Sequence, residues 1–471
     1  MRNRLYTVNV LFRKIMVVFL IIIITVSAVA CGKGPEEPID DVPETTEPQD
    51  TPADEEPDPR THMPIRVTGN LHNNLVVESG AKTARGYYEI LRWPEQMMPE
   101  NHRYVWYGNI LYTDYESQQQ IYLCNMPGCA HNTEECTSFV EYTGNITLFT
   151  DYSENHLYMI SGGESTYEYR TEEELPRIIE MDMDGSNRRT VCVFNSNEGI
   201  PSNSVEIASD EYVYIRTERT YYANGPQTYG PQTANAIERV WFADGRREEI
   251  RRLDNSTNAY EIAKSVYGDQ DLILQVNGVE DDVMYLKYIR VDQDGKTIEE
   301  YGPYTEITMY TFYGDNHLFL ADHDGKTGYI TYNDLTTGES RTVTGIPALA
   351  QGARGRGKIM CFGADGYKIN WWYIDKETDR DKVFLVDTQV GTWKEFTPRL
   401  DSERDKPVAV IAEAGDDYLV VVGEKKTYIT MTNKDGVIYN IWDERYPVRA
   451  LMSKEDYWNS TPNYRTIDDI S

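Results

Sequence analysis

The stretch CNMPGCAHNTEEC, residues 124–136, gathers three of the chain's six cysteines and one of its seven histidines into a single short loop. Cys124, Cys129, His131 and Cys136 follow the spacing Cys-x4-Cys-x-His-x4-Cys. Three thiolates and one imidazole are the donor set of a closed, tetrahedral structural zinc site. The linkers differ from the paired Cys-x2-Cys hooks of familiar zinc modules. In an oxidising exterior, two of the thiols could instead form a disulfide and leave the third free. Simple packing of the loop is a further reading. The odd number of thiols, and a histidine beside the central cysteine, weigh against a tidy disulfide. A bound metal would have all four positions filled, so its work would be to pin the loop.

Other candidate chemistry is thinner. GARGRGKI (352–359) has the Gly-x4-Gly-Lys outline of a phosphate loop but no Ser or Thr after Lys358, and it runs into a strand. The Asp182 and Asp184 turn superficially matches a calcium loop, yet position twelve of that register is Val191 rather than a bidentate Glu. No Gly-x-Ser-x-Gly elbow and no His-Glu-x-x-His pair is present. Trp371 and Trp372 in NWWYID are candidates for stacking on a ligand such as a sugar, against the plainer reading of a strand with one ring inward. Cys192 and Cys361 lie in apolar strands and read as buried free thiols.

The elements that must position these residues read as short strands. Alternating apolar runs recur behind polar turns at GNILYTDY (108–115), ENHLYMIS (154–161), DEYVYIRT (210–217) and DQDLILQV (269–276). They continue at DNHLFLAD (315–322), RGKIMCFG (356–363) and DDYLVVVG (416–423). Each reads as a hairpin turn followed by a period-two strand. The intervals fall in the range of repeat arrays. Asp-Gly turns at 181–191, 241–250, 291–300 and 432–440 mark a second hairpin in several intervals. Two hairpins make four strands, one propeller blade. The expected fold is therefore an all-β propeller of about seven four-stranded blades, with six or eight allowed and a pair of β-sandwiches as the competitor. RGYYEIL (85–91) reads as the first strand of the first blade, with ring closure between N- and C-terminal segments. Tyr457, Trp458 and Tyr464 read as packing across the last blade. Tyrosine, at 36 residues against 11 Phe, suits strands and half-wet surfaces.

The chain's N-terminus reads as an address. Arg2, Arg4, Arg13 and Lys14 precede an apolar run from Ile15 to Ile24 and the small-residue stretch TVSAVAC ending at Cys31. A basic head, a short apolar core and a small-residue exit describe a secretory signal. The core is shorter than the about 20 residues of a membrane span. The exit resembles the lipobox of bacterial lipoproteins, with Ala28 where Leu is usual. That resemblance implies cleavage before Cys31 and its acylation, each buried CH₂ adding about 0.8 kcal/mol of anchoring. Gly32–Pro59 is built of Pro, Glu, Asp and Thr with no apolar period, and reads as an extended spacer. The expected organisation is a signal peptide over 1–30, a lipidated cysteine and acidic linker over 31–62, and the propeller over 63–471. The expected location is the cell membrane, lipid-anchored and facing outside the cytoplasm. A formal net charge of −31 argues against nucleic acid as a partner.

QIYLCNMPGCAHNTEEC, following GNILYTDYES, resembles a segment of secreted lipoproteins of Gram-positive anaerobes. Those proteins are similar in having a lipobox, an acidic spacer and a propeller-like repeat domain. The resemblance implies that Cys124, Cys129, His131 and Cys136 form a shared cluster, and it carries no established reaction. The expected function is a non-enzymatic, membrane-tethered propeller that binds or scaffolds a protein, peptide or glycan. The alternative is an extracytoplasmic carbohydrate-active enzyme, a glycosidase or lyase. Two carboxylates about 5–10 Å apart in a central cleft beside Trp371 or Trp372 would favour the enzyme.

Overall fold

The structure is a computed structural model. It describes residues 63–69, 80–93, 105–162, 171–201, 206–221, 232–253, 259–281, 283–305, 309–313, 316–323, 327–347, 358–359, 367–375, 380–402, 405–433 and 435–470. The chain divides into two units, Met1–Pro57 and Asp58–Ser471, and all described residues belong to the second. Cys31 and Cys361 therefore lie outside the described residues.

Seven antiparallel sheets follow one another along the chain, over residues 81–143, 145–193, 198–253, 259–305, 309–347, 358–396 and 409–466. Each is a meander of four strands in sequence order, with small additions in the first and third. This is a seven-bladed β-propeller. The second blade shows why such short runs suffice. In its strand His156–Gly162, Leu157 and Met159 pack with the first blade, whereas Tyr158 and Ile160 pack with the third. Successive side chains point to opposite faces of a strand. Both faces of a blade are covered by its neighbours, so the run reads as continuously apolar. Buried clusters of this kind join every consecutive pair of blades, and two more join the seventh to the first.

Five of the seven apolar anchors are second strands of their blades: His156–Gly162, Tyr212–Tyr221, Asp271–Glu280, His317–His323 and Asp417–Thr432. Two differ. GNILYTDY, all but Tyr115, falls in the third strand of the first blade, Val105–Asp114, and RGYYEIL, all but Arg85, falls in the second, Gly86–Arg92. The first strand there is only Ala81–Lys82. In the sixth blade the second strand is Lys368–Asp375, and the RGKIMCFG anchor supplies the short first strand Lys358–Ile359.

The Asp-Gly turns are hairpin turns, and in the second, third and fourth blades they join the outer two strands. Gly185, Gly245 and Gly295 adopt φ of +81°, +68° and +81°. A Cβ on Gly245 would collide with the carbonyl oxygen of Val191, in the outer strand of the preceding blade. Gly185 and Gly295 press on Thr137 and Ile250 in the same way. The turn thus tucks beneath its neighbour, which demands glycine twice over. Gly245→Ala should cost about 2–4 kcal/mol in chemical denaturation; an unchanged midpoint would refute the close approach.

Ring closure differs from expectation. Among the described residues no strand is exchanged between the seventh and first blades. The N-terminal strand Arg66–Val67 instead adds to Ile207–Ala208, on the inner edge of the third blade. Ile65 N donates to Asp269 O at 2.8 Å, and Gln293 Nε2 donates to Met63 O at 2.8 Å. Arg66 reaches Glu154 in the second blade at 3.0 Å. The C-terminal segment makes the link to the first blade, where Asp468 pairs in parallel with Gln119. The helix Lys454–Asn459 places Tyr457 and Trp458 in the core between the sixth and seventh blades, as the aromatic tail suggested.

A candidate metal centre on the first blade

The outer edge of the first blade is split. Gln119–Tyr122 pairs with one half of Val105–Asp114, and Phe139–Thr143 pairs with the other half. Residues 123–138 leave the sheet between them as an irregular loop, and this loop carries the Cys/His string. The sequence places the loop here because LCNMPGC ends the apolar alternation with a Pro-Gly turn. Gly128 takes φ +71° and Cys129 N closes the turn on Met126 O at 3.2 Å.

The ligand atoms of Cys124, Cys129, His131 and Cys136 all lie within 4.8 Å of one another. A zinc tetrahedron with sulfur at about 2.3 Å and nitrogen at about 2.0 Å has edges of about 3.5–3.8 Å. The cluster is therefore close to that size. All four described cysteines are free thiols, these three and Cys192. His131 Nδ1 lies 3.3 Å from Cys136 Sγ, and the ring stacks on Tyr122 with centroids 4.2 Å apart. His131 holds φ +54°, an uncommon conformation for a side-chain-bearing residue. That bend lets His131 N donate to Cys129 Sγ at 3.4 Å, as Met126 N donates to Cys124 Sγ at 3.5 Å.

A buried polar bracket supports the cluster from beneath. Asn109 Nδ2 donates to His131 O at 2.8 Å and to Ser138 Oγ at 3.1 Å, and its Oδ1 accepts from Trp93 Nε1 at 2.7 Å. Arg188, from the second blade, donates to the carbonyls of Thr137 and Phe139 at the loop's exit. These environments sort the thiols. Burial pushes Cys129 up to about 11, against the opposing pull of the His131 amide. Burial also opposes ionisation of Cys136, but hydrogen bonds from the Ser138 hydroxyl and the Ser138 and Phe139 amides hold it below its ordinary value. Burial lowers His131, favouring the neutral imidazole that coordinates metals. Asn109, Ser138 and Arg188 carried no signal in the sequence, because nothing in a strand or turn pattern distinguishes a bracket from an ordinary polar residue.

The remaining candidates separate from this centre. Trp371 is 1% exposed, in the core between the fifth and sixth blades, where its ring lies over the Cα of Gly328. It offers no open face to a sugar, which corrects the stacking expectation for this residue. The Trp372 side chain lies outside the described residues. Asp182 and Asp184 shape their turn: Asp182 Oδ2 accepts from Asn187 at 2.7 Å, and Asp184 Oδ1 accepts from Ser186 N at 2.9 Å. Cys192 is buried between the second and third blades, as read.

No protein-family model matches the chain, and no curated protein matches it. Among solved structures it is similar to an oligogalacturonate lyase in complex with manganese, at 13% identity and a TM-score of 0.41, over 81% of this chain and 98% of that one. An oligogalacturonate lyase from Vibrio parahaemolyticus matches at 13% identity and 0.41, over 76% and 96% of the two chains. The β-propeller domain of the trilobed protease from Pyrococcus furiosus matches at 10% identity and 0.35, over 82% and 96%. At these scores the likenesses carry no argument about activity, and the seven-bladed architecture rests on the sheet topology described above.

Proposed function

We propose that this protein is an extracytoplasmic lipoprotein, anchored through Cys31, whose propeller binds or scaffolds a protein, peptide or glycan and does not turn over a substrate. In this reading Cys124, Cys129, His131 and Cys136 hold a structural zinc ion. The observation that carries it is the closed donor set. Four protein ligands gathered within 4.8 Å fill a tetrahedron and leave no position for a metal-bound water. A metal so held stabilises structure rather than activating a nucleophile. The basic head, short apolar core and lipobox-like exit support the anchor, and the acidic Pro-rich spacer supports display away from the membrane.

Two measurements test the reading. Cys31→Ala should move the protein from the membrane fraction to the soluble fraction; full retention on membranes would refute lipid anchoring. The full chain in detergent, incubated with an array of acidic and neutral polysaccharides and cell-wall peptides, should retain a ligand without changing its mass. Cleavage of any of them would favour the carbohydrate-active alternative.

A further inference from the structure

The seam between the seventh and first blades is built unlike the other six. The seventh blade's hairpin consists of two 16-residue strands, Asp417–Thr432 and Ile438–Ser453. Only its base belongs to the four-stranded sheet: Ala409–Ala414 pairs along Asp417–Val421, and Arg465–Thr466 pairs with Ala450 and Leu451. Beyond bulges at Val421/Gly423 and Lys425/Thr427, its distal strands pair with each other. A two-stranded hairpin is marginal in water and needs a surface to pack on.

That surface is the Cys/His loop with the strands beside it. Ile429, Met431 and Tyr446 of the hairpin join Trp93, Val105, Tyr107, Phe139 and the buried Cys136 in one cluster, with Cys124 and Cys129 packed at its margin. Asn132, next to the ligand His131, donates from Nδ2 to Asn433 O at the hairpin tip, at 2.9 Å. The candidate ligands are thus part of the wall on which the hairpin rests. The loop itself is poor in apolar anchors, and its Met126 is 45% exposed. Hydrogen bonds from Asn109, Arg188 and Thr137 hold its backbone at His131 and at its two ends, and the four gathered ligands draw residues 124–136 to one point.

We propose that the metal is the clasp of the ring. Its occupancy determines whether the distal hairpin stays docked across the seam between the seventh and first blades. The inference rests on the metal reading given above and adds to it a partner and a consequence. Metal binding by a site absent from the disordered loop is folding free energy for that loop. Removing the metal loosens residues 123–138, and the hairpin loses its docking surface. Coupling is reciprocal, so weakening the hairpin's hold must also weaken the metal.

The test uses the full chain purified under reducing conditions, with zinc content by elemental analysis and hydrogen exchange read by mass spectrometry. Chelation should raise exchange about tenfold or more in peptides covering 123–138 and 425–446, with the fourth blade, 259–305, unchanged. Met431→Ala should weaken zinc binding about tenfold in a competition titration with a chromogenic chelator. A protein that neither contains nor takes up zinc overturns the metal reading itself. Stoichiometric zinc, with chelation affecting 123–138 alone and Met431→Ala leaving affinity unchanged, overturns the clasp and leaves the metal site standing.

Discussion

Arg449→Met should destabilise the protein by about 3–5 kcal/mol at neutral pH, and replacing Glu89 as well should restore most of the loss. Arg449, on the seventh blade, meets Glu89 of the first at 2.6 Å, with side-chain exposures of 7% and 5%. Gln120 Nε2 donates to the other Glu89 oxygen at 2.6 Å, and Tyr446 OH donates to Gln120 Oε1 at 3.2 Å. Removing the guanidinium leaves a carboxylate in the seam with an amide as its remaining partner. Removing both charges leaves a space that apolar side chains of similar volume can fill, which is commonly neutral or better. Denaturant unfolding of the two single variants and the double variant measures this directly. A double variant as unstable as Arg449→Met would mean that the pair contributes packing rather than charge compensation.

The second large effect is a pH dependence. Glu206 is buried beside the N-terminal strand, its Oε2 against the Cα of Gly69 and without a hydrogen-bond partner. Burial pushes its carboxyl up to about 8. An acid raised on folding stabilises the folded chain fully below its ordinary value near 4.5, and that contribution is lost as pH rises through 8. At about 1.4 kcal/mol per pH unit, wild type should lose about 3 kcal/mol between pH 4.5 and pH 7 relative to Glu206→Gln. The two melting curves should coincide at pH 4 and separate progressively above pH 5, with the Gln variant the more stable. Parallel curves across that range would show that Glu206 ionises freely. The comparison with Gln isolates this residue from the opposing behaviour of Glu198. Burial opposes ionisation of Glu198 too, but hydrogen bonds from Arg247 and Arg219 hold it near 2.

Much of this architecture was legible because a blade repeats its own grammar. ENHLYMIS, DEYVYIRT and DDYLVVVG each announce a turn and then a strand covered on both faces, and each is a second strand. Where the grammar is interrupted, the reading slipped by one strand. The first blade opens with the two-residue Ala81–Lys82, too short to leave a pattern. Trp371 illustrates a different limit. Period-two alternation assigns a residue to a face, but in a propeller both faces of the inner strands are buried. A tryptophan there becomes core when the neighbouring blade offers a glycine such as Gly328. Tyrosine misled in the same direction, since Tyr158, Tyr212, Tyr332 and Tyr418 are at most 1% exposed between blades. Their ring faces satisfy the apolar clusters, while hydroxyls such as those of Tyr158 and Tyr212 find Glu180 and Gln293.

The Cys/His loop was legible as a ligand set and as an excursion from the first blade's edge. Its partner was not. Asn132 and Asn433 are separated by 301 positions, and nothing local in either segment reports the other. The same holds for the N-terminal strand Arg66–Val67, which no pattern announced and which lines the inner edge of the third blade. Long-range pairing of short strands is decided by which edges the closed ring leaves open, a property of the whole array rather than of any window of sequence.

The proposed zinc site requires its four ligands to act together on one metal ion. X-ray absorption at the zinc edge, on full-length protein purified under reducing conditions, tests that most directly. The expected result is one zinc per chain with three sulfur ligands at about 2.3 Å and one nitrogen at about 2.0 Å. Protein without zinc, carrying a disulfide between any two of Cys124, Cys129 and Cys136, would contradict it.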